Sequence, residues 1–202
     1  MVDSLIEGYR RFRAGYFNSN RERLTALAEG QAPRFAIVSC CDSRVDPGIV
    51  FDADPGELFI IRNVANLVPP FEAEGNYHGT SAALEFAVTG LGVSDVVVLG
   101  HARCGGIRAL LSGDPPPGES FVSSWMGIAA PARDEVLRRS DLVTEAERQC
   151  ACEQSAVRLS LRNLLTFPWV AERVAGGKLR LHGWYYDLQS GRITRLEDDF
   201  QG

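Results

Sequence analysis

Two short segments carry the side chains that could do chemistry: SCCDSR, ending at Arg44, and GHARCGG, from Gly100 to Gly106. Between them they offer Cys40, His101 and Cys104. Two thiolates and one imidazole leave a tetrahedral zinc ion one position short of closure, the ligand count of a catalytic rather than a structural site. Each piece alone is weak, since cysteines often pack as small hydrophobes. Asp42 and Arg44 follow Cys40 at alternate positions and share its side of the chain if the backbone there stays extended. An ordinary ion pair at a strand end is the plain alternative. Beside a metal ligand, a bidentate arginine is instead a rigid means of holding a carboxylate off the ion.

Placement strengthens the set. RFAIVSC (34–40) and DVVVLGH (95–101) read as buried strands, so both ligand groups stand where a strand ends. In an open parallel sheet, ligands bind in the crevice outside the carboxyl ends of the strands. After the second strand, Gly105 and Gly106 permit a tight turn. IRALLSG then reads as a helix whose first amides face Cys104, favouring a thiolate there and an anion near Gly105.

The remaining elements give an α/β fold: a mostly parallel central sheet flanked by helices and extended by a C-terminal antiparallel hairpin. Strand 57–62 and a helix over about 77–91 lie between the two ligand strands. Helical patterns follow over 120–138 and 144–165, the second opening on a Thr144–Glu147 capping box, and 179–188 with 192–196 read as the hairpin. DPPPGES (114–120) is the clearest loop. Near the N-terminus Ser4 and Glu7 match a capping box, and Leu5, Ile6, Tyr9, Phe12 and Tyr16 recur at helical spacing. The chain reads as one domain over 1–202: a helical arm (1–30), a zinc-binding α/β core (34–112), and a helical segment with the hairpin (118–202).

Composition narrows the class. The chain has 202 residues, 45% of them hydrophobic, and a net charge of −5, enough for a sizeable core and without the basic surface that nucleic acid requires. No apolar run approaches the ~20 residues of a membrane span, and MVDSLIEGYRRF is not an export signal, so a soluble, cytoplasmic protein is expected. Five cysteines in this pattern do not form a disulfide framework. Cys150 and Cys152 read as structural thiols on different faces of a helix.

Several stretches in order resemble the β-class carbonic anhydrases, zinc enzymes that interconvert carbon dioxide and bicarbonate: CCDSRVDP (40–47), PGELFIIRNVANLVPPF (55–71), SAALEFAV (81–88), VVVLGHARCGGIRALL (96–111), SLRNLLTFPWV (160–170) and LHGWYYDLQSG (181–191). The resemblance implies one zinc per subunit on Cys40, His101 and Cys104, with Asp42 and Arg44 as the catalytic pair. Cys41 would be the spare, because neighbouring strand side chains face opposite ways. The resemblance is to the plant-like, open-site form. Gln31 stands where open members contact substrate analogues, and Ile37 stands where the regulated, closing members carry a tryptophan. Arg62 occurs in both forms. Phe59, Val64 and Phe86 would line an apolar pocket at a subunit boundary, with Phe86 replacing a tyrosine of the plant-like pattern. The N-terminal helices would lie across a neighbouring subunit, making a homodimer the smallest complete unit, with a tetramer or larger assembly open.

The expected reaction is reversible hydration of carbon dioxide by zinc-bound hydroxide. Zinc lowers the pKa of its water from ~15.7 to ~7 in favourable sites. Two thiolates cancel the ion's charge and weaken it as a Lewis acid, so activity should rise towards alkaline pH. Among the other histidines, His182 reads as packed and His78 as a surface residue, so buffer is left to carry the proton. Hydrolysis of carbonyl sulfide or carbon disulfide is the close alternative. A non-catalytic zinc-thiolate protein, structural or redox-sensing, is the distant one.

Overall fold

Runs rich in β-branched residues and too short for helices form the strands, and the register between them sets the architecture. The structure, a computed structural model, describes residues 2–74, 78–113 and 120–196. It forms two units, Met1–Ala32 and Pro33–Gly202.

The first unit holds α1 (Asp3–Phe12), a π-helical turn (Arg13–Phe17) and α2 (Arg21–Leu27). The Ser4–Glu7 capping box does not form: the N-cap lies two residues earlier, at Val2, which makes no side-chain cap bond, and Ser4 is already inside the helix. Asp3 instead brings a negative charge to the first turn, where the helix dipole favours it. The apolar stripe is real but uncovered, with Leu5 74%, Tyr9 57% and Phe12 44% exposed.

The second unit runs β1 (Phe35–Cys40), α3 (Pro47–Val50), β2 (Leu58–Asn63), α4 (Gly79–Glu85) with a π turn to Gly90, β3 (Asp95–His101), α5 (Gly105–Ser112), α6 (Phe121–Met126), α7 (Ala130–Leu137), α8 (Glu145–Leu164), α9 (Pro168–Ala175), β4 (Arg180–Tyr186) and β5 (Ile193–Arg195). The sheet order is β2-β1-β3-β4-β5. The first four strands are parallel, and β5 pairs antiparallel with β4 as the hairpin reading requires. All of β3 is buried, as its unbroken apolar run demands of a central strand. From β1 the chain moves outward to β2, then returns to the other side of β1 as β3. That reversal makes the carboxyl ends of β1 and β3 the switch point of the sheet.

Helix α8 is the largest cover on this sheet. Its Thr144–Glu147 capping box is complete. Val157, Leu161 and Leu164 join Ala36, Val38, Val96 and Val98 in the main core. Its approach to the sheet requires glycine, since a Cβ at Gly100 would lie 2.5 Å from Val157 and one at Gly183 would lie 2.7 Å from Leu161. Two short helices, α3 and α9, are additions to the sequence reading. Pro168 opens α9 at its first turn, where proline's fixed φ fits and its missing N–H costs nothing. Most of the DPPPGES loop lies outside the described residues. Among the described residues no helix is long and apolar enough to cross a membrane.

Candidate active site

Cys40 ends β1, His101 ends β3 and Cys104 caps the start of α5, so the switch point collects all three. Their donor atoms lie within 4.8 Å of one another, and all three residues are buried. His101 Nδ1 contacts Ala102 O at 2.9 Å. A carbonyl only accepts, so that nitrogen carries the proton and Nε2 presents a lone pair. Nε2 is buried without a hydrogen-bond partner among the described residues. The sulfurs make the same demand. A hydrogen bond from the Cys104 thiol draws Cys40 well below the ordinary thiol range, while that bond and burial push Cys104 up, so the pair shares one proton. Both ionise only beside a cation. An orphaned imidazole nitrogen and two such sulfurs fit a zinc ion.

The backbone around the cysteines is strained towards them. Among the described residues four non-glycine residues have positive φ, and three of these flank the cluster: Ala65 (63°), Asn66 (50°) and Arg103 (57°). Such backbone costs ~1–3 kcal/mol and persists only where its surroundings hold it. Ala65 uses the conformation to point its N–H at Cys40 Sγ, 3.4 Å away. The amides of Gly106 and Ile107 do the same for Cys104, as a helix start should. At this turn Gly106 is the glycine that packing requires, because a Cβ there would meet Val64, Met126 and Ala65 at 3.0–3.2 Å; at Gly105 it would meet nothing within 4 Å.

Asp42 and Arg44 pair by a different route from the extended one. Arg44 N donates to Asp42 Oδ1 at 3.0 Å and Val45 N to Asp42 O at 3.0 Å, so the chain turns directly after the strand. The tight turn satisfies backbone groups that have left the sheet, and it brings the guanidinium onto the carboxylate: Arg44 Nε to Oδ1 at 2.9 Å and Nη2 to Oδ2 at 2.7 Å. These bonds hold the Asp42 carboxyl well below the usual carboxylate range. Oδ2 is 4.0 Å from His101 Nε2, beside the cluster rather than bonded to it. Arg44 Nη2 also donates to Arg103 O at 3.0 Å, tying the two loops together.

Sequence reasoning undervalued two residues. Arg62 on β2 donates to the carbonyls of Cys40 (3.0 Å), Asp42 (2.9 Å) and Val45 (2.7 Å), fastening the whole first loop. Trp125 Nε1 donates to Val64 O at 2.7 Å behind the cluster. Only an arginine facing three carbonyls could have signalled this, and that geometry is tertiary. Val64 packs with Cys40 and Cys104, whereas Phe59 and Phe86 pair with each other at 5.9 Å and Phe59 packs on the main core. Gln31 is exposed in the N-terminal unit. Cys41 points outward, as alternation predicts.

A buried cysteine–histidine cluster able to hold a metal ion, at the switch point of a parallel sheet and flanked by a held-off carboxylate, marks an α/β protein with a candidate metal site. The sequence profile of the carbonic anhydrase family matches residues 35–193. Beta carbonic anhydrase 3 of Arabidopsis thaliana is 35% identical over 99% of this chain and 78% of its own length. Among solved structures, the β-carbonic anhydrase CcaA superposes with a TM-score of 0.89 at 33% identity, covering 96% of this chain and 86% of that one. One of two tetrameric β-carbonic anhydrases of Sordaria macrospora gives 0.86 at 29%, covering 96% of each chain. The chain belongs to the carbonic anhydrase family, in its β class.

Proposed function

We propose that the protein catalyses reversible hydration of carbon dioxide to bicarbonate and a proton at a zinc centre held by Cys40, His101 and Cys104. The observation that carries this is the bidentate Arg44–Asp42 pair standing 4.0 Å from a His101 Nε2 that has no hydrogen-bond partner among the described residues. A structural staple of two strand ends has no use for it. Zinc held there supplies a Lewis acid that makes water nucleophilic near neutral pH. Asp42 accepts a hydrogen bond from a proton-bearing group beside Nε2, orients it, and disfavours groups with no proton to give. Arg44 keeps Asp42 ionised and holds it away from the cysteines, which supports the open-site reading, as does Ile37, buried where a closing member has tryptophan. Val64 gives an apolar wall for a neutral gas. At the subunit boundary of an oligomer, Phe59, Phe86 and Gln31 of a neighbouring subunit would complete the wall and the substrate contacts, and the chain at Gly105 faces the anionic product.

The functional unit in this reading is a homodimer at least. The uncovered stripe on α1 and the half-exposed Phe86 beside edge strand β2 supply apolar surface for it. Zinc content measured with stopped-flow hydration from neutral to alkaline pH tests the function. One zinc per subunit and a rate rising with pH are expected; zinc-loaded protein hydrating carbon dioxide only at the background rate would overturn it. Sulfide release from carbonyl sulfide and carbon disulfide in parallel, faster than carbon dioxide hydration, would reassign the substrate.

A further inference from the structure

Unlike Cys40 and His101, which end sheet strands, Cys104 lies outside the sheet. It is reached through Arg103 in a left-handed conformation and stands at a helix start, where its own N–H has no intrahelical acceptor. Helix α8 supplies what is missing. Cys104 N donates to Glu153 Oε1 at 2.8 Å, and Gln149 Nε2 donates to the same oxygen at 2.9 Å and to Cys104 O at 3.3 Å. From β4, Tyr185 donates its hydroxyl to Glu153 Oε2 at 2.7 Å. Glu153 is 3% exposed, and the Cys104 amide, the Gln149 side-chain amide and the Tyr185 hydroxyl all donate to its two oxygens. Burying an acid on a helix face that otherwise packs apolar side chains is costly, and a methionine would fill the space.

We infer that Glu153 is a positioning residue for the metal centre: through the Cys104 amide it fixes where that sulfur points, and Gln149 and Tyr185 hold the carboxylate in turn. The inference rests on the proposed role of Cys104 as a ligand. Groups that orient ligands in this way change metal affinity by about 10–100-fold when removed.

The test is zinc affinity of the full chain by competition with a chromophoric chelator, together with the visible spectrum of the cobalt-substituted protein. Glu153→Met keeps volume and loses the acceptor. Its zinc Kd should rise about 10–100-fold and its cobalt bands should shift. Glu153→Gln keeps an acceptor for the Cys104 amide, with the Tyr185 hydroxyl turning to accept, and should remain close to the parent protein. Unchanged affinity and bands in Glu153→Met would reduce Glu153 to core filling and overturn the proposal. Should that variant fail to fold, Tyr185→Phe and Gln149→Leu decide: weaker zinc binding supports the clamp, and parental affinity in both overturns it. A parent protein that binds no zinc, or a Cys104→Ser variant that binds it equally well, would instead refute the ligand reading and take the clamp with it.

Discussion

The two ends of β3 carry the same three residue types. At the carboxyl end, Asp42 is gripped by Arg44 with His101 nearby; at the amino end, Asp95 is gripped by Arg180 at 2.7 and 2.9 Å with His182 at 2.9 Å. Both carboxyls are held well below their usual range, first of all by hydrogen bonds from the arginine. Yet the two trios do different things. Asp95 also takes the Ser94 hydroxyl at 2.7 Å and is 3% exposed, and its imidazole bonds it directly, so the cluster satisfies itself and ties β3 to β4. At the other end the imidazole nitrogen stays 4.0 Å from its carboxylate, lies within 4.8 Å of two sulfurs and finds no hydrogen-bond partner among the described residues. A depressed carboxylate with an arginine and a histidine therefore does not mark a site. The unmet nitrogen beside two thiols does.

Breaking each trio in turn tests that contrast. His101→Asn should lose zinc and all hydration above background, measured by metal analysis and stopped flow. Asp42→Asn should keep its zinc and lose roughly 100-fold or more in kcat/KM; near-parental turnover would show that the carboxylate is a bystander, as at the other end. Asp95→Asn should leave zinc content and turnover unchanged and lower stability by about 1–2 kcal/mol at neutral pH, a modest cost because Arg180 is largely exposed. The sign of its pH dependence follows from the depressed carboxyl. The stabilisation is complete above the unfolded value of ~3.9 and is lost as pH falls towards the folded one. Denaturant melts of parent and variant should therefore converge below about pH 4 and separate above it. Convergence at alkaline pH instead would mean that a base, not Asp95, controls the cluster.

Much of this was legible beforehand because it is written in short range. Unbroken apolar runs marked β1 and β3, the capping box marked α8, and strand alternation separated Cys40 from Cys41. Where local signals competed with longer contacts, the reading slipped: α1 starts before its capping-box serine, and Asp42 meets Arg44 through a turn instead of along an extended chain.

The sequence by itself determined the donor set and the strands that deliver it, since residue type fixes ligand chemistry and hydrophobic period fixes strand identity. Only the tertiary structure decided how the donors are held. Arg62 reaching three carbonyls, Glu153 reaching the Cys104 amide and left-handed Ala65 aiming its N–H at Cys40 all join residues far apart in the chain or strain the backbone locally. Such contacts depend on packed distances, and no spacing along the chain encodes them.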